Sequence, residues 1–230
     1  MNVSSQEGSV LYVSDIESSP FVVEDMVVLN SYSFYGLISI YDSSSLAFYT
    51  SNFTNNTGRV YSCQNCIIGI VGNIILNNYC QFQNEIQACF LYASDGSELQ
   101  VNYTFCSNVS NIMEGGALYG IDSLLFLYEF QLINTVSQNY GGCLMGETAN
   151  VIILNSAFME YSGGCFYLDS SSNLTLMNTN FSNEMYRNQA ILYGSTIACV
   201  NCEISMIIQC VFIGNYNNSL QGGVFNKKIV

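Results

Sequence analysis

The chain predicts an all-β solenoid of short parallel strands, and three observations carry that prediction. A glycine-rich mark recurs as GGAL (115–118), GGCL (141–144), GGCF (163–166) and GGVF (222–225). Apolar-x-apolar segments that run into an aromatic residue recur between the marks. No stretch carries a 3.6-residue apolar stripe with a cap at its start. A mark repeated at this period means one supersecondary unit copied along an axis.

The third letter of each mark sets the register. It falls at Ala117, Cys143, Cys165 and Val224, with a degenerate copy at Ala190. Earlier copies without the glycine pair fall at Cys89, Val60, Leu37 and Val10. Successive positions lie 22 to 34 residues apart. The residue after each position forms one apolar row: Leu11, Ile38, Tyr61, Phe90, Leu118, Leu144, Phe166, Ile191 and Phe225. Between marks come VVLNSYSF (27–34), LAFYTSNF (46–53), VIILNSAF (151–158) and LTLMNTNF (174–181), each with Phe seven places after its first apolar residue. Phe is followed by Asn three places on at Phe53 and Asn56, Phe105 and Asn108, and Phe212 and Asn215.

Each unit therefore reads as two or three short strands separated by Gly, Asn, Ser and Asp turns. The units are too short for a strand–helix–strand repeat, which needs about 30 residues or more. A right-handed parallel β-helix of about eight to nine coils fits, roughly 40 Å long at about 4.8 Å per coil. Stacked apolar rows bury area that no single coil can bury alone, at about 25 cal/mol per Å². The expected organisation is one domain over residues 1–230, read as a segment of a longer β-helix.

Composition narrows the function classes. Four basic residues stand against 17 acidic ones, with no histidine. That argues against nucleic acid and anionic membranes, which need clustered Lys and Arg. No 18-residue run lacks polar groups, so no transmembrane segment is expected. Two CxxC pairs, Cys63/Cys66 and Cys199/Cys202, lie too far apart along such a rod to share a zinc ion. Each reads as a local disulfide or as two free thiols. Cys143 and Cys165 share the register position in adjacent coils and read as small apolar spacers. Eight N-glycosylation sequons, at Asn2, Asn52, Asn55, Asn102, Asn108, Asn173, Asn180 and Asn217, agree with an extracellular or cell-surface location.

Two rows are candidate binding features. Asp15, Asp42, Asp95, Asp122, Glu147 and Asp169 fall four to six residues after the register position. Stacked along one edge they offer oxygen ligands of the kind calcium takes. Asp is also the residue favoured where a strand enters a turn. No other cofactor is expected. Tyr12, Tyr119 and Tyr167 sit two places after the register position, with Leu91, Met145 and Leu192 there in other coils. They form either an outward aromatic strip that meets protein or glycan partners or part of the core. Without histidine no Ser-His-Asp or Cys-His site is possible. A carboxylate pair for glycoside hydrolysis is the remaining catalytic alternative.

The glycine marks and FxxN segments resemble the polymorphic outer-membrane-protein repeat, which pairs GGA[ILV] with FxxN in bacterial surface proteins. The chain is also similar to surface β-helices of single-celled eukaryotes and, in architecture, to the pectin-lyase-like superfamily. The resemblance implies a β-helix with a surface-adhesive role and no catalytic residues. The expected function is a non-enzymatic, cell-surface or secreted structural or adhesive module. The alternative is an extracellular polysaccharide lyase or glycoside hydrolase.

Overall fold

The computed structural model describes residues 4–5, 10–15, 21–33, 36–42, 44–80, 88–111, 116–137, 141–162, 164–182, 196–214 and 225–228. Among them there is no helix, and every strand pairing is parallel. The chain coils through three sheets of nine, eight and nine strands, and a further two-stranded pair joins Ser4–Ser5 to Tyr32–Ser33.

One turn shows the plan. Leu118–Ile121 lies in sheet 1, Leu124–Tyr128 in sheet 2 and Gln131–Val136 in sheet 3. A corner separates each pair, and each corner holds one left-handed residue followed by one inward residue. In this turn the left-handed residues are Asp122 (φ 45°) and Glu129 (φ 48°), and Ser123 and Phe130 point in. A third left-handed residue, Asn134 (φ 54°), bends the sheet 3 strand. Among the described residues, Asn and Asp account for 14 of the 22 non-glycine residues at positive φ, because their short polar side chains tolerate this backbone best. The turn residues of the sequence are thus the corners of the coil.

Inward residues at the corners are often polar, and each answers a backbone group of the preceding turn. Ser97 Oγ accepts from the Cys66 N–H (3.2 Å) and Ser156 Oγ from the Phe130 N–H (3.2 Å). Buried Asn56 and Asn78 accept from the N–H groups of Ser31 and Asn56, both at 2.9 Å. A corner strand cannot complete its own ladder, so a buried side chain does it.

The core is a column of stacked rows. In sheet 3 the inward row runs Val28, Phe53, Ile75, Cys106, Leu132, Phe158, Phe181 and Phe212. Its last three rings lie nearly parallel, with centroids 5.4 and 4.8 Å apart. Burial pushes the Tyr61 phenol and the Cys106 thiol well above their ordinary pKa values, while the Asn73 side chain donates to Tyr61 Oη at 2.9 Å and partly opposes the first shift.

The glycine pair has two separate causes. Gly141 adopts φ 59°, and a Cβ there would lie 2.5 Å from the Leu144 carbonyl oxygen. At Gly142 a Cβ would lie 2.0 Å from the Ser162 oxygen. The first glycine supplies the turn, and the second lets two turns approach.

The register differs from expectation in several places. Leu11, Ile38, Tyr61, Leu118, Leu144 and Phe166 are aligned as expected, but Leu91 and not Phe90 joins them. The next member is Ile197; Ala190, Ile191 and Leu192 lie outside the described residues. Val27 belongs to sheet 3, so VVLNSYSF is not equivalent to the other three segments, whose first apolar residues Leu46, Val151 and Leu174 lie in sheet 2. Phe34 lies outside the described residues. The FxxN pairs are not equivalent either: Phe53 stacks in line with Cys106, so Phe105 faces outward. Asn215 falls outside the described residues.

Candidate functional site

The acidic row divides between two register positions. Asp15, Asp42, Asp95 and Asp122 are exposed left-handed corner residues with φ of 45° to 57°. In the turns between and after them the same position is held by Asn65, Thr148, Ser170 and Asn201. Backbone conformation accounts for aspartate there. Glu147 and Asp169 sit one place earlier, as the paired last residues of their sheet 1 strands. They are half-buried and stack directly on each other. Among the described residues, no three Asp, Glu or Cys side chains gather as a metal site.

The tyrosine row faces outward. The true row is Tyr12, Ser39, Ser62, Tyr92, Tyr119, Met145, Tyr167 and Ala198. Tyr92 thus replaces Leu91, because the register of that turn is one residue later. Tyr119, Met145 and Ala88 form a cluster separate from the main core, with Tyr92, Ile121 and Tyr167 against it. Yet Tyr119 is only 2% exposed and Met145 4%. The middle of the row is covered and offers no open contact strip. Tyr12, at 52%, is the exposed member, its ring centroid 5.4 Å from that of Tyr41.

The two rows meet on this face. The Tyr119 hydroxyl donates to Glu147 Oε1 at 2.8 Å, and the Tyr167 hydroxyl approaches Asp169 Oδ2 at 3.5 Å. On the same face the Arg59 guanidinium lies 4.2 Å from the Tyr92 ring centroid and donates to Ser62 Oγ at 3.1 Å. A desolvated charge–ring contact and charge-assisted hydrogen bonds hold the face together. Arg59, Ser62 and Tyr92 were absent from the expected set. The available signal was the position of Arg59 one place before the register residue of its turn, where later turns carry glycine.

The cysteines resolve mostly as short links. Cys63–Cys66 and Cys199–Cys202 are local disulfides, and Cys80–Cys89 is a third that the spacing did not indicate. Cys143 and Cys165 are buried, lie outside the three disulfides and have Sγ atoms 2.7 Å apart.

The outer face of sheet 2 carries a partly exposed apolar surface in its middle turns. Leu124, Phe126 and Tyr128 alternate with buried Leu125 and Leu127. They pair with Asn150, Ile152 and Leu154, and these with Asn173, Thr175 and Met177. Nearly all are partly exposed. In Leu124–Tyr128 both faces are apolar, so the alternation of a sheet with one wet face is missing there, while Asn150, Asn173 and Thr175 keep part of it in the next two strands. Among the described residues no helix is long and apolar enough to cross a membrane. Comparison with protein-family models gives no match, and comparison with curated proteins gives none either.

Proposed function

We propose that this chain is a non-enzymatic structural or adhesive module of a cell surface or secreted protein, binding a partner through an outer face of the solenoid. The observation that carries the reading is the sheet 2 face, where Leu124, Phe126, Tyr128, Ile152, Leu154 and Met177 form one apolar patch on three adjacent strands. These six side chains are partly exposed, and contiguous apolar surface left open to water marks an interaction site more often than a solvated face. A parallel stack holds that patch flat and rigid, so little ordering is needed on binding.

The surroundings support an extracellular setting. Three disulfides belong to an oxidising compartment. The six sequon asparagines among the described residues, Asn52, Asn55, Asn102, Asn108, Asn173 and Asn180, all lie at outward or corner positions and none is buried. The resemblance to bacterial and protist surface repeats points the same way.

The test is retention of chain-coated beads on cell monolayers and matrix. The Phe126→Glu/Ile152→Glu double variant is expected to lose retention at least about tenfold, since each charge must be desolvated at a contact. Its circular dichroism should match that of the native chain. Equal retention of a folded variant removes sheet 2 as the contact face, and no retention by the native chain on any surface ends the adhesive reading.

A further inference from the structure

The corner between sheets 2 and 3 carries an open groove of about 490 Å³, lined by Tyr103, Thr104, Phe105, Glu129, Gln131 and Asn155. Its size falls within the roughly 300–1,000 Å³ of small-ligand sites. We propose that this groove binds a neutral hexose unit of a glycan, with Tyr103 as the stacking platform and Glu129, Gln131 and Asn155 as its hydroxyl partners. The inference rests on the binding-module reading and supplies it with a ligand class and a site that adjoins the sheet 2 patch at Tyr128.

Tyr103 is the first argument. It occupies the left-handed corner position at φ 50°, where neighbouring turns carry Gly72, Glu129, Asn155 and Asn178. A bulky residue there is strained, and such strain gathers where a site needs a particular side chain. The residue is 56% exposed and is no part of the core cluster. The Tyr128 ring meets it edge-on, with centroids 5.5 Å apart and planes at 88°. That contact braces one side of the platform.

The second argument is the polar complement. Glu129 and Asn155 occupy the same corner position in the next two turns, so the three side chains stand in file. The backbone N–H of Tyr103 bonds to the Tyr128 oxygen (3.0 Å) and that of Glu129 to the Leu154 oxygen (3.1 Å). The Asn178 amide donates to Asn155 Oδ1 at 3.0 Å, and the Asn155 side chain also donates to the Tyr128 hydroxyl, so its amide is fixed beside the groove. The Glu129 carboxylate accepts from the Tyr128 hydroxyl and raises the phenol pKa, partly opposed by the Asn155 side chain, so both groove residues are tied to Tyr128. A carboxylate accepts from adjacent sugar hydroxyls, carboxamides donate and accept, and an aromatic face meets the apolar C–H face of a pyranose.

Charge selects among glycans. The lining holds one carboxylate and no cation, and the whole chain carries a formal net charge of −13. Sulfated and uronic sugars are repelled, and neutral hexoses are not.

The experiment titrates the purified chain by saturation-transfer NMR with neutral hexose tetrasaccharides and with a sulfated counterpart of each. Saturable binding of a neutral probe at about millimolar strength is expected, with the sulfated form weaker. Tyr103→Asn removes the ring and installs a residue suited to this backbone, so the variant should melt at or above the native temperature. It should lose the probe at least about tenfold, and Glu129→Gln should weaken it as well. No saturable signal from any neutral probe, unchanged binding by Tyr103→Asn, or preference for the sulfated form each overturns the inference. Bead retention that survives Tyr103→Asn while tetrasaccharides fail to bind leaves the adhesive reading standing without this site. Loss of both in the native chain removes both.

Discussion

At the scale of single residues, the coil is most sensitive where two turns touch through backbone. Gly142→Ala places a methyl group against the Ser162 and Gly164 carbonyl oxygens. We expect it to cost about 3 kcal/mol, at the upper end for overpacking. Gly69 has no backbone atom closer than 3.9 Å to a Cβ, and Gly69→Ala should be neutral or stabilising by up to about 1 kcal/mol. Denaturant unfolding of the pair checks both signs. Glycines 141 and 142 were legible as a mark, though not as two different requirements. Apolar alternation told Leu118 from Tyr119 as neighbours on opposite faces, but it could not say that Tyr119 is covered. What lies over a strand's outer face is decided by other parts of the chain. The one-residue error at Phe90 and Leu91 has a simple cause: residues 88–91 are all apolar, so alternation gives no phase there.

At the scale of elements, the corners hold the stack as much as the strands do. The exposed asparagine file in sheet 3 links Asn55, Asn77, Asn108 and Asn134 amide to amide, with Asn77 donating to Asn55 at 3.1 Å and accepting from Asn108 at 2.8 Å. Asn77→Gly keeps the left-handed backbone and deletes the amide, and should cost about 1 kcal/mol in thermal unfolding. Asn77→Ala also forces a Cβ into φ 52°, and should cost roughly 1 kcal/mol more. Equal losses from the two variants would mean that backbone strain is unimportant here. The abundance of Asn, Ser and Asp between strands made the corners visible in the sequence. Which asparagine of an Asn-Asn pair faces out was hidden: Asn55 turns the chain, while its neighbour Asn56 is buried and accepts from Ser31. The aspartates of the acidic row were legible for the same corner reason, and only Glu147 and Asp169 proved to be strand residues.

At the scale of the whole molecule, the parallel stack and its single column of core were foreseen, because a repeated period leaves few other ways to bury so much apolar surface. The same column makes the molecule sensitive to alkali. Tyr61 and Cys106 are fully buried, and their folded pKa values are raised by desolvation. The folded state therefore keeps protons that the unfolded chain releases above about pH 8.5 for the thiol and about pH 10 for the phenol. Their stabilisation is complete below those values and is lost as pH rises through the folded values, at up to about 1.4 kcal/mol per pH unit for each group. Melting temperature should fall steeply from about pH 9 upward. Tyr61→Phe loses the Asn73 hydrogen bond at neutral pH but should show a shallower alkaline slope. A slope that Tyr61→Phe leaves unchanged would place the alkaline sensitivity elsewhere.

Strands in this molecule hydrogen-bond to the turns immediately before and after their own. A gene that gains or drops one whole period therefore lengthens or shortens the rod by about 4.8 Å and leaves every remaining row in place. The coil acts as a molecular ruler: its reach can drift by duplication while the surfaces it presents stay intact.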